Sequence, residues 1–211
     1  LTVYGHYVSQ PSRNVLWLLK IHEQPFNFVK IDVLKGEARA DAYKSKFPTC
    51  LIPAIEDDGF CLAEGSAILQ YLCEKHGWDK WWPTSQDNAS LQERAKIAEF
   101  LSSHHGTTRL ISRQIAIPLF TFRTITDDMK KENVKVANSV LKRFQNAFLR
   151  EGGYVNGMQR PTIADLVAYS ELGQLLHFDI LPDFNDYPAV QHWAELMSAI
   201  PYYDDVHKSN L

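Results

Sequence analysis

The chain has 211 residues, and 45% of them are hydrophobic, which is enough to bury a sizeable core in one large or two small domains. Its formal net charge of -3 and its isoelectric point near 6.2 argue against a nucleic-acid-binding protein, because such proteins usually present a basic patch. No stretch of about 18 apolar residues occurs, so we expect no segment that spans a membrane.

Hydrophobic patterns in the first part of the chain predict a small mixed sheet with helices on its faces. The predicted strands are residues 2–7, 26–33, 51–56 and 60–62, and the predicted helices are residues 12–22 and 64–76, with a short exposed helix or irregular segment at 37–47. Asp58-Gly59 indicates a hairpin between the last two strands, and Gly77 is well placed to end the last helix. The order βαβαββα, a parallel crossover followed by a hairpin, defines an α/β N-terminal domain over residues 1–77.

The composition changes after residue 77. Residues 78–85 hold three tryptophans, a proline and turn residues, and we interpret 78–87 as a linker. From residue 88 the strand signals end, and helical periodicity predicts helices at 91–117, 126–149, 162–176 and 189–199. Pro118 should end or bend the first of these helices, and Gly152-Gly153 interrupts the helical pattern. The sequence therefore predicts an all-helical second domain over residues 88–211.

The cysteines and the N-terminus favour a cytoplasmic protein. Cys50, Cys61 and Cys73 have spacings that match no zinc or redox template, and their odd number argues against a disulfide framework. The chain begins in a strand-like pattern and lacks the basic and long apolar regions of a signal peptide. We therefore expect reduced, partly buried thiols.

Thr162 and Asp165 form the pattern of a capping box, a hydroxyl followed three residues later by a carboxylate ahead of an apolar run. A general-base role for Asp165 is the functional alternative. Its position at a helix start favours the structural role, in which losing the cap typically costs about 1 kcal/mol.

Two features of the first domain leave local alternatives open. A proline fits poorly in a paired strand, so Ile52-Pro53 marks an edge or a cis bond, although only about 5–6% of X-Pro bonds are cis. Glu64-Gly65-Ser66 follows a strand and begins a helix. The backbone N–H groups there either bind an anion or are capped by Glu64 or Ser66.

His104 and His105 do not indicate a metal site. Adjacent helical residues point about 100° apart, and no H-E-x-x-H motif is present. Arg109 lies four residues beyond His105, so one of the histidines and Arg109 are placed to line a cleft on one helix face.

Ser9 lies between the first strand and the first helix. It is not part of a G-x-S-x-G motif, so a nucleophilic role has almost no support. As an N-cap, its oxygen would accept a hydrogen bond from a backbone N–H near Ser12, with Pro11 in the first turn. Alternatively, its hydroxyl donates to an anion at the helix N-terminus. Serine is among the commonest caps, so the local sequence favours capping.

These motifs, in this order, resemble the cytosolic glutathione transferases, and the opening motif is most similar to the theta class, whose catalytic residue is a serine. The matching segments are residues 9–13, 35–36, 52–54, 64 with 67–72, 82–83, 94–97, 104–109 and 163–166. They span nearly the whole chain. The resemblance implies a thioredoxin-like N-terminal domain and an all-helical C-terminal domain.

The resemblance also implies a function, the conjugation of the glutathione thiolate to small electrophiles by a cytoplasmic homodimer. Glutathione would be a co-substrate, with no cofactor, metal, nucleic acid or membrane involved. Ser9 would stabilise the thiolate, and the backbone of Ile52, before a cis Pro53, would pair with the cysteinyl group. The other implied glutathione contacts are Gln10, Arg39, Glu64, Gly65 and Ser66, and the implied electrophile-site residues are His105, Arg109 and Ile111.

Three positions depart from the family pattern. Gly65 stands where the family usually has serine, so a hydroxyl that would bind the glutamyl carboxylate is missing. A hydrogen bond to a charged group contributes about 1.5–3 kcal/mol, so affinity would fall about ten- to a hundredfold. Leu51 replaces a basic residue, and Ala38, beside Arg39, replaces the histidine expected near the glycine carboxylate. The alternative function is therefore a non-catalytic ligand-binding protein with a degraded glutathione site.

Overall fold

The computed structural model describes residues 1–121, 126–149, 153–176 and 184–208. They form two units, one made of residues 1–84 and 200–208, and the other made of the described residues between 85 and 199. The sequence had predicted a first domain that ends at residue 77 and a second that runs to the C-terminus. The main difference is that the C-terminal segment returns to the first unit.

The first unit is built around a four-stranded sheet in the order β2-β1-β3-β4. Its strands are β1 (Thr2–Gly5), β2 (Asn27–Lys30), β3 (Ala54–Asp57) and β4 (Phe60–Ala63). β1 pairs in parallel with β2, whereas β3 is antiparallel to both β1 and β4. Asp58 and Gly59 have φ values of 50° and 87°, which the type I′ turn of a two-residue hairpin requires. The predicted hairpin is confirmed.

The helices of the first unit follow the predicted start and stop signals. Up to residue 84 they are α1 (Gln10–Ile21), α2 (Asp41–Lys44) and α3 (Gly65–His76), with a short 3-10 helix at Glu37–Arg39. α1 connects the parallel strands, and Gly77 ends α3 in the left-handed conformation with a φ of 66°. The segment predicted to be exposed buries Tyr43 and Phe47, because both side chains pack in an apolar cluster beside Ala54 of β3. The element order βαβαββα is that of a thioredoxin-like domain.

The last described helix, α9 (Tyr203–His207), packs against α1. Trp17 Nε1 of α1 donates to Pro201 O at 2.9 Å, and the Trp17 and His207 rings lie 4.6 Å apart. Lys20 adds an ion pair with Asp205 at 3.4 Å. This short helix shows no hydrophobic periodicity, and its packing against α1 is established only by the tertiary contacts.

The described part of the second unit contains helices and no strands. They are α4 (Asn88–Ser103), α5 (Ile117–Thr121), α6 (Asp127–Phe148), α7 (Ile163–Leu172) and α8 (Pro188–Ser198), with 3-10 turns at His104–Gly106, Val155–Gly157, Gly173–Leu176 and Phe184–Asp186. Gly152 lies outside the described residues, whereas Gly153 has a φ of 76°. Within the ranges that the structure covers, no helix is both long and apolar enough to cross a bilayer.

The helix predicted for residues 91–117 is divided. α4 ends at Ser103, a 3-10 turn follows, and Ile111–Ala116 forms a π-helix that continues directly into α5. Pro118 is the second residue of α5, so the helix does not end at this proline, and the change from π-helix to α-helix lies just before it. Periodicity over a long window does not separate these helix types, which explains the difference.

The capping box at the start of α7 is confirmed. Thr162 Oγ1 accepts from Ala164 N at 3.2 Å, and Asp165 Oδ2 accepts from Thr162 N at 2.8 Å. Asp165 is fully buried, and its Oδ1 accepts from Val155 N at 2.8 Å and from Trp193 Nε1 at 3.0 Å. Burial raises the pKa of this carboxyl, while the four donors around it act in the opposite direction. Asp165 thus joins three segments of the second unit.

Candidate active site

Three loops and two helix N-termini meet at one end of the sheet. β1 ends at Gly5, and the strand register places Tyr4 opposite Ala54 and Ala54 opposite Ala63. The end of β1, the start of β3 and the end of β4 are therefore neighbours. The loop after β1 leads into α1, and β4 leads into α3. The predicted site segments 9–10, 52–53 and 64–66 consequently lie at this same end.

Ser9 is the half-buried N-cap residue of α1. Its Oγ accepts a hydrogen bond from Ser12 N at 3.4 Å, and its backbone N–H donates to His6 O at 2.9 Å. The cap bond is long for an N–H···O bond, and accepting it leaves the hydroxyl hydrogen for a second partner. The predicted capping role is confirmed, and it is compatible with donation to an anion at the N-terminus of α1.

Arg13 holds the turn that precedes Ser9, a role not predicted from the sequence. The residue is 2% exposed, and its Nη1 donates to Tyr7 O at 2.9 Å and to Val8 O at 3.4 Å. The sequence signal that could have indicated this role is the spacing of four residues between Ser9 and Arg13, because residues i and i+4 lie on one helix face. The buried guanidinium therefore fixes both carbonyls that lead into Ser9.

The Ile52-Pro53 peptide bond is cis, as the family resemblance implied. Tyr43 Oη donates to Leu51 O at 2.6 Å, which fixes the carbonyl just before this turn. Burial raises the pKa of the Tyr43 phenol, so it keeps its proton and remains a donor at neutral pH. Pro53 is buried, whereas Ile52 is half-buried.

Two of the departures from the family pattern differ in exposure. The Leu51 side chain is 58% exposed, so an apolar group stands at the surface where a basic residue was expected. Ala38 is 3% exposed and packs with Tyr43 and Phe47. Arg39, the next residue of the same 3-10 turn, is exposed and is the cation nearest in sequence to Ala38.

Gly65, the first residue of α3, lies against Pro11 of α1. A Cβ placed on Gly65 would lie 3.1 Å from Pro11 Cβ, well inside the usual separation of about 3.5–4.0 Å between carbon atoms. Position 65 is therefore tight, and a side chain there requires Pro11 or the start of α3 to shift by a few tenths of an ångström. Glu64 is exposed, has a φ of 75° and forms no side-chain cap on α3. The first N–H groups of α3, those of Gly65 and Ser66, are thus not capped by Glu64.

The predicted electrophile-site residues lie in the second unit. Arg109 Nη1 donates to Glu171, a carboxylate whose side chain is 2% exposed and which also accepts from Ser112 Oγ. Ile111 has no exposed surface, so it can contact a small molecule only if neighbouring side chains move. His105 is exposed. The assignment of these residues to an electrophile site stays a prediction.

Among the described residues, no group of three or more His, Cys, Asp or Glu side chains is placed to hold a metal ion. Cys50 and Cys61 are half-buried free thiols. Cys73 is buried, which raises the pKa of its thiol and keeps it protonated.

Comparison with known proteins gives consistent matches. A model of the family described as glutathione S-transferase, N-terminal domain, matches residues 3–81. Mouse glutathione S-transferase theta-3 is 33% identical over 178 residues, which make up 82% of this chain and 71% of the mouse protein. Human glutathione S-transferase theta-1 is 31% identical over 178 residues, with coverages of 82% and 72%.

Two solved structures extend the similarity across the fold. Human glutathione transferase theta-2, in complex with glutathione and an unknown ligand, superposes with a TM-score of 0.81 at 26% identity, covering 98% of this chain and 85% of that chain. Isozyme E7 of glutathione S-transferase from Drosophila melanogaster superposes with a TM-score of 0.82 at 27% identity, covering 99% and 91%.

Proposed function

We propose, from the premise that this chain belongs to the glutathione S-transferase family and is a theta-like member, that it conjugates the glutathione thiolate to small electrophiles and that Ser9 stabilises the thiolate. The observation that carries the role of Ser9 is its position. It caps α1 at the sheet end where the cis Pro53 turn and the start of α3 also lie, with its hydroxyl hydrogen available.

The chemistry follows from the ionisation of a thiol. A free thiol has a pKa of about 8.5, so only a few per cent is the nucleophilic thiolate at pH 7. A hydroxyl that donates to the thiolate contributes about 1.5–3 kcal/mol, equivalent to one to two pKa units. The N-terminus of α1 acts in the same direction through its dipole. In this proposal Ser9 is a hydrogen-bond donor and neither a nucleophile nor a general base.

The glutathione contacts follow the same geometry. The Ile52 backbone beside cis Pro53 pairs with the cysteinyl group, and the uncapped start of α3 at Glu64, Gly65 and Ser66 receives the γ-glutamyl carboxylate. Gln10 and Arg39 complete the proposed set. Backbone N–H groups replace the missing serine hydroxyl at position 65.

A second candidate function, a non-catalytic ligand-binding protein, is favoured by one specific observation. Gly65 lacks the hydroxyl that would bind the glutamyl carboxylate, and a Cβ there would lie only 3.1 Å from Pro11 Cβ. Calorimetric titration separates the two candidates. Glutathione binding in the micromolar to low-millimolar range supports the transferase, and no binding supports the alternative.

The remaining parts of the proposal concern the second substrate and the assembly. A small electrophile would bind near His105, Arg109 and Ile111, where Arg109 would stabilise a leaving halide or sulfate. We further propose a cytoplasmic homodimer that needs no cofactor beyond glutathione as co-substrate.

The role of Ser9 is tested by the rate of thiol conjugation with a panel of small alkyl and aryl halides. We expect Ser9→Ala to lower the rate at pH 7 by about ten- to a hundredfold. Ser45→Ala is the matched control, because it removes an exposed hydroxyl whose hydrogen bond is to Ala42 O within its own helical turn. Equal rates for wild type and Ser9→Ala would rule out the assigned role.

A further inference from the structure

We propose that Arg13 is a positioning residue for Ser9, whose guanidinium holds the turn that presents the Ser9 hydroxyl and keeps a bound thiol ionised. The inference rests on the proposed function, since the thiol in question is that of glutathione. Arg13 does not touch the substrate in this proposal and acts through the backbone before Ser9.

Arg13 makes hydrogen bonds on both sides of Ser9. Its Nη1 donates to Tyr7 O at 2.9 Å and to Val8 O at 3.4 Å. The carbon of the Val8 carbonyl is bonded to Ser9 N, so Nη1 lies within about 6 Å of that nitrogen. Arg13 N also donates to Ser9 O at 3.0 Å, which forms the first bond of α1. The same residue therefore fixes both the entry to Ser9 and the helix turn after it.

Burial gives these contacts their effect. Arg13 is 2% exposed, so water does not compete for its donors and screens its charge weakly. A guanidinium also donates in a rigid planar arrangement that an ammonium group cannot reproduce. By holding the Ser9 hydroxyl in place as a donor to the thiolate, Arg13 lowers the pKa of the thiol, in the same direction as the α1 dipole.

Other titratable groups face this turn and affect any pH measurement. His6 and Tyr7 belong to the turn itself, and the His6 Nδ1 accepts from Val8 N at 3.1 Å. Glu64 precedes α3, which packs on α1 through Gly65 and Pro11. All three are unchanged in the variants below, so their contribution cancels when pH profiles are compared.

The first experiment measures the pH dependence of kcat/KM for conjugation in Arg13→Gln, Arg13→Lys and a control. The pH at which kcat/KM reaches half its maximum reports the ionisation of the bound thiol. We expect this midpoint to rise by about one pH unit in Arg13→Gln and by less in Arg13→Lys. Lys20→Gln is the matched control, since it removes one positive charge from the last turn of the same helix. A folded Arg13→Gln variant with the wild-type midpoint would overturn the proposal, because a purely structural role changes stability without moving the profile.

A double-mutant comparison tests positioning directly. If Arg13 acts through Ser9, the rate penalty of Ser9→Ala shrinks about tenfold in the Arg13→Gln background. Should Arg13→Gln not fold, Arg13→Lys carries the test. A Lys ammonium is a point charge that loosens the turn, so the Ser9→Ala penalty should shrink at least about threefold. An undiminished penalty in the Arg13→Lys background would refute the positioning role.

A reporter at position 9 separates this inference from the proposed function. In Ser9→Cys, the thiol pKa is read without glutathione, from the pH dependence of alkylation of the peptide that contains residue 9. We expect a value below about 8.5 that rises by about one unit when Arg13→Gln is added. An unchanged value refutes the inference even if the enzyme conjugates glutathione. A shifted value without wild-type conjugation refutes the proposed function alone.

Discussion

Replacing Gly65 with alanine tests the steric account of this position. In most helices Gly→Ala stabilises by about 0.5–1 kcal/mol, because alanine restricts the unfolded chain. At Gly65 the new methyl group would lie 3.1 Å from Pro11 Cβ, and overpacking typically costs about 1–3 kcal/mol. The Pro11 ring fixes its own φ in the first turn of α1, so it cannot rotate away. The clash exceeds the gain, and we expect Gly65→Ala to lower the free energy of unfolding by about 1–2 kcal/mol.

Thermal unfolding provides the assay. For a chain of this length, 1 kcal/mol shifts Tm by about 2–4 °C, so Gly65→Ala should lower Tm by about 2–8 °C. Gly106→Ala is the matched control, because no atom lies within 4 Å of a Cβ placed on Gly106. The control should leave Tm unchanged or raise it slightly. A Tm for Gly65→Ala at or above that of wild type would refute the reasoning.

The same clash predicts how glutathione affinity responds to a restored hydroxyl. Gly65→Ser alone should not improve binding, because the start of α3 must move away from Pro11. Adding Pro11→Gly removes the opposing Cβ, and the hydroxyl then contributes up to about 1.5–3 kcal/mol, a gain of about ten- to a hundredfold. Calorimetric titration of the two single variants and the double variant measures this coupling. Independent, additive effects would contradict it.

Three further predictions concern stability. Asp165→Asn places an amide group opposite four donors that hydrogen-bond to a carboxylate in the wild type. We expect the free energy of unfolding, measured with denaturant, to fall by about 2–4 kcal/mol. An unchanged unfolding midpoint would argue against a central role for this residue. The hydrogen bond from Lys75 holds the pKa of the Asp57 carboxyl below its usual value. The ionised Asp57 carboxylate therefore stabilises the fold at any pH above its unfolded-state pKa, and this stabilisation is lost as the pH falls through the lower folded-state pKa. Asp57→Asn should therefore lower Tm at pH 7, and the difference from wild type should shrink below about pH 4, whereas a constant difference would contradict this linkage. Trp17→Phe keeps a buried ring but removes the N–H that donates to Pro201 O. Limited proteolysis should therefore cut the chain after residue 200 faster than in wild type. Equal cleavage rates would mean that this hydrogen bond does not hold α9.

The features that could be predicted from the sequence are those whose partners lie a few residues apart. Ser9 caps α1 through Ser12, Thr162 and Asp165 form their capping box, and Gly77 ends α3 in a left-handed conformation. In each case the side chain and the backbone group that it serves belong to the same helix turn, so local chemistry determines the outcome. The element order of the first unit and the resemblance that pointed to Ser9 followed from such signals.

The tertiary structure decided whatever depends on distant partners. Local statistics favoured a trans Ile52-Pro53 bond, yet it is cis where β3 begins beside β1. Trp17 finds its acceptor 184 residues away, and Arg109 finds Glu171 62 residues away. The residue pattern within one helix does not determine these contacts, because tertiary packing, and not sequence spacing, decides which side chains meet across a core.

Ser9 and Gly65 show both kinds of determination at the site itself. The sequence by itself placed Ser9 at a helix entrance and marked Gly65 as a departure from its family. Only the tertiary structure showed that position 65 is tight, because a Cβ there would lie 3.1 Å from Pro11 Cβ. It also showed that Arg13 reaches back from α1 to hold the turn before Ser9, an arrangement that arises only when the helix and the preceding loop are folded together.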